Sequence, residues 1–98
     1  MKIVRTGVAG TMESSDIIVT IEPGDNEGIK INLESDVMQQ YGKRIEDTIL
    51  ETLHALNVTS AIVTAVDKGA LDCTVAARTE SAVYRAADSC DYSWKHHA

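Results

Sequence analysis

The sequence predicts an α+β fold: two β-hairpin regions form a largely antiparallel sheet, packed by one long helix at about 36–56 and a short C-terminal helix. Three observations predict it. Several stretches alternate apolar and polar residues at period two, which is typical of strands. The stretch between the two strand regions has the helical period instead. Clusters of turn-forming residues separate neighbouring stretches, and this order of elements favours helices packed on a sheet.

The first predicted hairpin joins residues 17–22 to residues 29–33. In both stretches the apolar positions alternate, as in half-buried strands; these positions are Ile17, Val19, Ile21, Ile29, Ile31 and Leu33. Residues 23–28, Pro-Gly-Asp-Asn-Glu-Gly, supply the turn formers that the connection needs. Residues 8–12 can pair with the same first strand, which makes residues 13–16 their connecting turn.

The long helix is predicted from about residue 36 to residue 56. Apolar residues recur there at helical spacing, while most charged residues lie off that stripe. The stripe consists of Val37, Tyr41, Ile45, Ile49, Leu53 and Leu56. Ser35 or Asp36 can cap the start, Asp36 and Gln39 have capping-box spacing, and Asn57 is a stop signal.

The second predicted hairpin follows the helix. Residues 61–66 are rich in β-branched residues, residues 67–69 form a turn, and residues 71–77 alternate again. This alternation predicts that Cys73 is a buried strand position. The short C-terminal helix is predicted within 79–88. With 98 residues the chain is long enough for a single domain, predicted over 1–90, and 91–98 is predicted to be a flexible tail.

Charge and composition exclude several classes of function. The net charge of -6 argues against binding a phosphate backbone, which needs clustered Lys and Arg. The sequence has no basic and apolar leader, and no apolar run is long enough to span a membrane. The two cysteines, Cys73 and Cys90, can pair, but they do not form the framework of a small secreted protein. We therefore expect a cytoplasmic protein that binds neither nucleic acid nor membrane.

Two patterns could indicate a metal site, but a solvated helix face explains the first better and a flexible tail explains the second better. Glu51-x-x-His54 has the spacing of di-iron bundles, but such a site needs two of these motifs on four helices. His96 and His97 lack further ligands at metal-binding spacing. Spacing does not exclude a Ser–His–acid triad, although the chain has no G-x-S-x-G elbow. We expect no metal and no catalytic residue.

Ser14 and Ser15 stand between two carboxylates, Glu13 and Asp16, directly ahead of a strand. Serines in turns commonly hydrogen-bond the backbone, and local chemistry alone favours that role. A serine in an exposed turn is also accessible to a modifying enzyme. The residues themselves leave both interpretations open.

Two blocks of sequence resemble the citrate lyase acyl carrier proteins, the γ subunits of that complex. The first is residues 8–16, Val-Ala-Gly-Thr-Met-Glu-Ser-Ser-Asp, and the second is residues 66–73, Val-Asp-Lys-Gly-Ala-Leu-Asp-Cys. The start of the helix around Gln40-Tyr41-Gly42 is similar too. The resemblance extends from Met1 to about Asp88. Two blocks in the right order and at the right distance are more specific than either block alone.

The resemblance implies that Ser14, the serine directly after Glu13, carries a covalent phosphoribosyl dephospho-CoA arm. A prosthetic-group transferase would attach this arm from its triphosphoribosyl precursor. The thiol of the arm would hold acetyl, the α subunit would exchange acetyl for citryl, and the β subunit would release oxaloacetate. The resemblance therefore implies an acyl carrier domain without catalytic side chains of its own.

Two other functions remain open at this stage. The chain could be the carrier of a related complex, such as citramalate lyase or malonate decarboxylase. It could also be a small regulatory or ligand-binding α+β domain that carries no group. Intact mass after expression beside modifying enzymes distinguishes a carrier from a binding domain.

Overall fold

The computed structural model describes residues 2–24, 28–35 and 38–87, with the backbone alone for 38–40. Within these residues the elements in chain order are β1 (Gly7–Ala9), β2 (Ile17–Glu22), β3 (Gly28–Ser35), α1 (Met38–Ala55), β4 (Ser60–Asp67) and α2 (Asp72–Ala86). The strands form one sheet in the order β1-β2-β4-β3. β1 with β2 and β2 with β4 are antiparallel, and β3 with β4 is parallel. The predicted α+β class and the largely antiparallel sheet are confirmed, as is the pairing of β1 with β2.

The predicted pairing of β2 with β3 is wrong, because β4 lies between them. Ile31 of β3 is aligned with Val63 of β4, and Val63 is aligned with Ile21 of β2. Parallel neighbours need a long crossover connection, and α1 provides it between β3 and β4. β4 has a fully buried apolar face and occupies the centre, whereas every residue of β3 is at least partly exposed, as expected for an edge strand.

The predicted second hairpin is also wrong, because residues 72–86 form a helix. The buried residues of α2 are Val75, Thr79, Ala82, Val83 and Ala86, and their spacing follows the helical period. The helix places Cys73 on the surface, so its predicted burial on a strand is wrong. The predicted short helix within 79–88 is the C-terminal part of this longer one.

Helix α1 lies within its predicted range and ends where the sequence indicates. Ile45, Ile49 and Leu53 form its buried face, whereas Tyr41 is exposed. Asn57 has φ 59°, and the N–H of Val58 donates to the Leu53 carbonyl at 2.9 Å. A left-handed residue after the last turn is a common helix stop, so the Asn57 signal is confirmed. Ser35, one of the two predicted caps, is the last residue of β3, and its hydroxyl donates to Asp67. Asp36, Val37 and the side chain of Gln39 lie outside the described residues or side chains.

Both helices cover one face of the sheet. Ile17, Val19 and Ile21 of β2 are buried on that face, together with alternate residues of β4. At the far end of α2, Ile3 forms a β-bridge with Ala87, and the N–H of Val4 donates to the Ala86 carbonyl at 2.9 Å. The start of the chain therefore lies along the C-terminal end of α2.

Several predictions fall outside the described residues. These concern the tail at 91–98, Cys90 with its pairing to Cys73, and the two histidines at 96 and 97. The domain boundary at residue 90 also stays a prediction. In the described part of the chain, neither helix is long and apolar enough to cross a membrane.

Candidate functional site

The two serines lie at the tip of the loop that joins β1 to β2, residues 10–16. The N–H of Asp16 donates to the Glu13 carbonyl at 3.2 Å, so Ser14 and Ser15 are the two central residues of a β-turn. Both are exposed. Ser15 has φ 66°, the left-handed conformation that type II turns require at their third residue. The predicted surface turn at 13–16 is confirmed.

The side chain of Asp16 stabilises this turn through hydrogen bonds. Its carboxylate accepts from the Thr11 hydroxyl at 2.7 Å, from Nε and Nη2 of Arg78 at 3.0 Å each, and from the Ile17 N–H at 2.7 Å. The side chain is only 13% exposed. The Thr11 hydrogen bond, and then those from Arg78 and Ile17, lower the pKa of Asp16 to about 2, so it is ionised at neutral pH.

Two backbone hydrogen bonds connect this loop to the loop between β4 and α2, residues 68–71. The N–H of Ser15 donates to the Lys68 carbonyl at 2.7 Å, and the N–H of Lys68 donates to the Asp16 carbonyl at 2.8 Å. They extend the β2–β4 ladder beyond its last pair, Ile17 with Asp67. The two blocks that carry the family resemblance, 8–16 and 66–73, therefore meet in space.

A second aspartate holds the β4–α2 loop. Asp67 is 1% exposed and accepts from the Ser35 hydroxyl at 2.9 Å and from the N–H groups of Gly69 and Ala70 at 3.1 and 3.0 Å. A carboxylate that accepts from the backbone two and three residues later closes a tight bend. This bend turns the chain from β4 into α2.

The β4–α2 loop forms one wall of a cavity of about 570 Å³, here called the α1 cavity. Its other wall is the start of α1, with Tyr41, Arg44 and Ile45, and the loop side is residues 69–73. Arg44 Nε donates to Asp72 at 2.6 Å across the cavity rim, and this ion pair raises the pKa of Arg44. A smaller cavity of about 380 Å³ is lined by Cys73, Thr74, Ala77, Arg78 and Ser81.

Of the possible metal and triad residues, those within the described part of the chain lie on α1. Glu51 and His54 are exposed on α1. The described residues contain no group of three or more His, Cys, Asp or Glu that could hold a metal ion. The histidines at 96 and 97 lie outside the described part of the chain.

Sequence reasoning gives no role to Arg78, which the structure places against Asp16. A lone arginine has no signature of its own, and the strand prediction for 71–77 hides its position. The helical spacing from Val75 to Ala86 is the signal that could have found it, since it places Arg78 on a helix rather than after a hairpin.

Comparison with known proteins identifies the family. A family model for the malonate decarboxylase delta subunit (MdcD), named ACP, matches residues 4–86. The citrate lyase acyl carrier protein of Streptococcus mutans is 56% identical over 95 residues, covering 97% of this chain and 93% of that protein. The chain belongs to the citrate lyase acyl carrier protein family. Proteins of the same name from Streptococcus uberis and Streptococcus pyogenes serotype M5 are 55% and 53% identical with the same coverage. The resemblance found in the sequence is confirmed.

The fold has a counterpart among solved structures. It is similar to a chain in the crystal structure of a Pseudomonas malonate decarboxylase hetero-tetramer in complex with malonate. The TM-score is 0.66 at 21% identity, and the match covers 89% of this chain and 93% of that chain. At this identity the likeness concerns the fold alone.

Proposed function

We propose that this chain is the acyl carrier subunit of a citrate lyase complex and that Ser14 is the attachment site of a phosphoribosyl dephospho-CoA arm. The observation that carries the proposal is the exposure of Ser14 on a turn whose flanking backbone is fixed by Asp16 and Lys68. Family membership supports the acyl carrier role. Exposure alone does not separate Ser14 from Ser15; the position directly after Glu13 in the family's block selects Ser14.

The surroundings of Ser14 fit a phosphodiester. Such a group brings negative charge next to Glu13 and Asp16. The guanidinium of Arg78 binds both oxygens of Asp16, which offsets the negative charge of that side chain. Glu13 is exposed, where water and salt screen it. Ser14 is exposed on a surface turn, so a bulky group can be attached without disturbing the core.

The chain's own residues hold and position the arm, and they do not catalyse the reaction. When bound, the arm supplies a thiol that forms acetyl and citryl thioesters. The turn at 13–16 holds the attachment point at the end of the sheet. A tethered thioester has an effective concentration on the order of millimolar at a docked active site. The transferase can supply the base that activates Ser14, so the carrier needs none.

The proposed partners are the α subunit, which exchanges acetyl for citryl, the β subunit, which cleaves the citryl thioester, and the prosthetic-group transferase. The net charge of -6 favours encounter with basic docking surfaces on these proteins. Charge reversal at Glu13 should slow association and reduce its salt dependence; unchanged association rates would contradict electrostatic steering.

A second candidate is the carrier subunit of malonate decarboxylase. The family model's description favours it. Reconstitution distinguishes the two: the loaded chain should restore citrate cleavage to carrier-free α and β subunits, and it should not restore malonate decarboxylation.

Intact-mass measurement tests the attachment site. After co-expression with the modifying enzymes, the wild-type chain should gain one adduct with the mass of the arm. Ser14→Ala should gain none, and Ser15→Ala, the matched control one residue away, should still gain it. An adduct on Ser14→Ala would overturn the assignment, and no adduct on the wild-type chain would overturn the carrier role.

A further inference from the structure

We infer that the α1 cavity binds the pantetheine part of the arm on Ser14, so that the acyl thioester rests against the carrier between visits to the catalytic subunits. This inference rests on the proposed function. It assigns a binding role to Tyr41, Ile45 and Leu71, which the attachment chemistry leaves without one.

The size and lining of the cavity suit this occupant. A volume of about 570 Å³ lies within the roughly 300–1,000 Å³ typical of small-molecule sites. Leu71 is 71% exposed and Tyr41 is 52% exposed, so two large apolar side chains of the cavity are open to water. Pantetheine has apolar methyl and methylene groups that can cover them, and two amides that need polar partners. Arg44 and Asp72 provide polar groups at the rim.

The cavity begins close to the attachment point. The N–H of Ser15 is bonded to the carbonyl of Lys68, and Gly69, the next residue, lines the cavity. The path from Ser14 to the cavity wall is thus one peptide unit, one hydrogen bond and one further peptide unit. An arm built from pantetheine, phosphates and ribose is longer than this path and can fold back.

The tether makes weak binding sufficient. An arm attached at Ser14 is present at an effective concentration on the order of millimolar near the cavity. A dissociation constant equal to that concentration fills the cavity about half of the time, and one about fourfold lower fills it about four-fifths of the time. Weak binding also allows the arm to leave the cavity, because a docked catalytic subunit competes for the arm with a site of low affinity. A soluble ligand or an untethered partner would have to overcome the full entropy of association.

The N-terminal turn of α2 lines the same cavity with Leu71, Asp72 and Cys73. Leu71 is the N-cap residue and makes no side-chain hydrogen bond to the first turn. The N–H groups at the start of a helix have no partner within it and can donate to a bound carbonyl. Amide carbonyls of the arm would satisfy them.

Cys73 provides a readout that is independent of catalysis. Cys73 is exposed and lines the α1 cavity as well as the smaller one. We would load the chain with the acetylated arm, whose own sulfur is blocked, and measure alkylation by N-ethylmaleimide, using peptide mass spectrometry to separate Cys73 from Cys90. If the arm occupies the cavity about four-fifths of the time, Cys73 should react roughly fivefold more slowly than in the unloaded chain.

Two substitutions separate docking from crowding. Leu71→Glu replaces an exposed apolar contact with a charge, and the ratio of loaded to unloaded alkylation rates should return to about one. Val4→Glu is the matched control, because Val4 is 43% exposed at the opposite end of α2. It should keep the full protection. Equal loss of protection in both variants would overturn the inference.

The other outcomes are also decisive. Equal alkylation of Cys73 in loaded and unloaded wild-type chains would overturn the inference while leaving the proposed function intact. Protection in Ser14→Ala that grows with protein concentration would assign the cavity to a second copy of the chain and overturn it as well. Absence of the adduct from the wild-type chain would instead overturn the proposed function, and the inference with it.

Discussion

Asp16 and Asp67 stand at the same end of the β2–β4 ladder and hold two adjoining loops by different means. Asp67 is 1% exposed and accepts from neutral donors, a hydroxyl and two backbone N–H groups. Asp16 is nearer the surface and is paired with the guanidinium of Arg78. The loop that shapes the α1 cavity therefore depends on a buried hydrogen-bond network. The loop that carries Ser14 depends on a charge pair that pH can break.

Substitution of Asp67 should have the largest effect. Asp67→Ala removes three hydrogen bonds, those from the Ser35 hydroxyl and from the N–H groups of Gly69 and Ala70, and a buried donor that loses its acceptor costs about 1–3 kcal/mol. We expect the free energy of unfolding to fall by about 3 kcal/mol in urea denaturation. Asp67→Asn keeps one acceptor oxygen and should lose about half as much. A loss below about 1 kcal/mol in Asp67→Ala would show that water replaces the network.

A pair of glycines compares the packing of the same two loops. Gly10 has φ 101°, and a Cβ there would collide with the Ile17 carbonyl, whereas Gly69 has φ 90° with open space where its Cβ would be. Gly10→Ala should therefore cost strain and collision, about 2 kcal/mol or more, and Gly69→Ala only the left-handed strain of about 1 kcal/mol. Thermal denaturation of both variants measures the difference. Equal losses would mean that the serine loop relaxes away from β2.

The charge pair at Asp16 should give the smallest effect, and one that depends on pH. The pKa of Asp16 is about 2 in the folded chain, below its ordinary value of 3.8. A lowered carboxyl pKa stabilises the fold above the unfolded pKa, and this stability is lost as pH falls through the folded value.

The wild-type chain should thus be more stable than Asp16→Asn at about pH 6, and the difference should shrink from about pH 4 to about pH 2. Denaturation of both chains across this range measures it. Asp47→Asn is the control, since its pair with Lys43 lies on the exposed face of α1 and should give a negligible difference. A gap between wild type and Asp16→Asn that stays constant down to pH 2 would contradict the role of the charge.

Local sequence patterns predict where the strands and helices lie better than they predict which strands pair in the sheet. The positions of β2 and α1 can be predicted from hydrophobic periodicity and stop signals, because the apolar face of each element is formed by residues of one continuous segment. The place of β4 between β2 and β3 depends on which strands bury both edges, a property of the whole sheet. The available signal was the long helix between two strands, which is the crossover of a parallel pair.

Segment 71–77 shows why short patterns mislead. Leu71, Cys73 and Val75 alternate like a strand, yet only Val75 of the three is buried. Its partners Thr79 and Ala82 come later in the chain and complete a helical face. A seven-residue window holds too few positions to separate the two periods.

For the same reason, the sequence predicts only the local part of the candidate site. The turn at 13–16 is local and follows from its residues, so its exposure could be predicted. The contact of Arg78 with Asp16 joins positions 62 residues apart and exists only because α2 packs beside β1 and β2. The α1 cavity likewise needs the true position of α2, which the strand interpretation excludes.

The bridge between Ile3 and Ala87 has a practical consequence for experiments on this carrier. α2 rises about 22 Å over its 15 residues, and the Ser14 loop lies near its first half through Arg78. An affinity tag joined ahead of residue 2 would hold the molecule by the opposite end and leave the turn facing away from a sensor chip. Immobilisation through that end is therefore the orientation of choice for measuring how modifying enzymes and catalytic subunits approach.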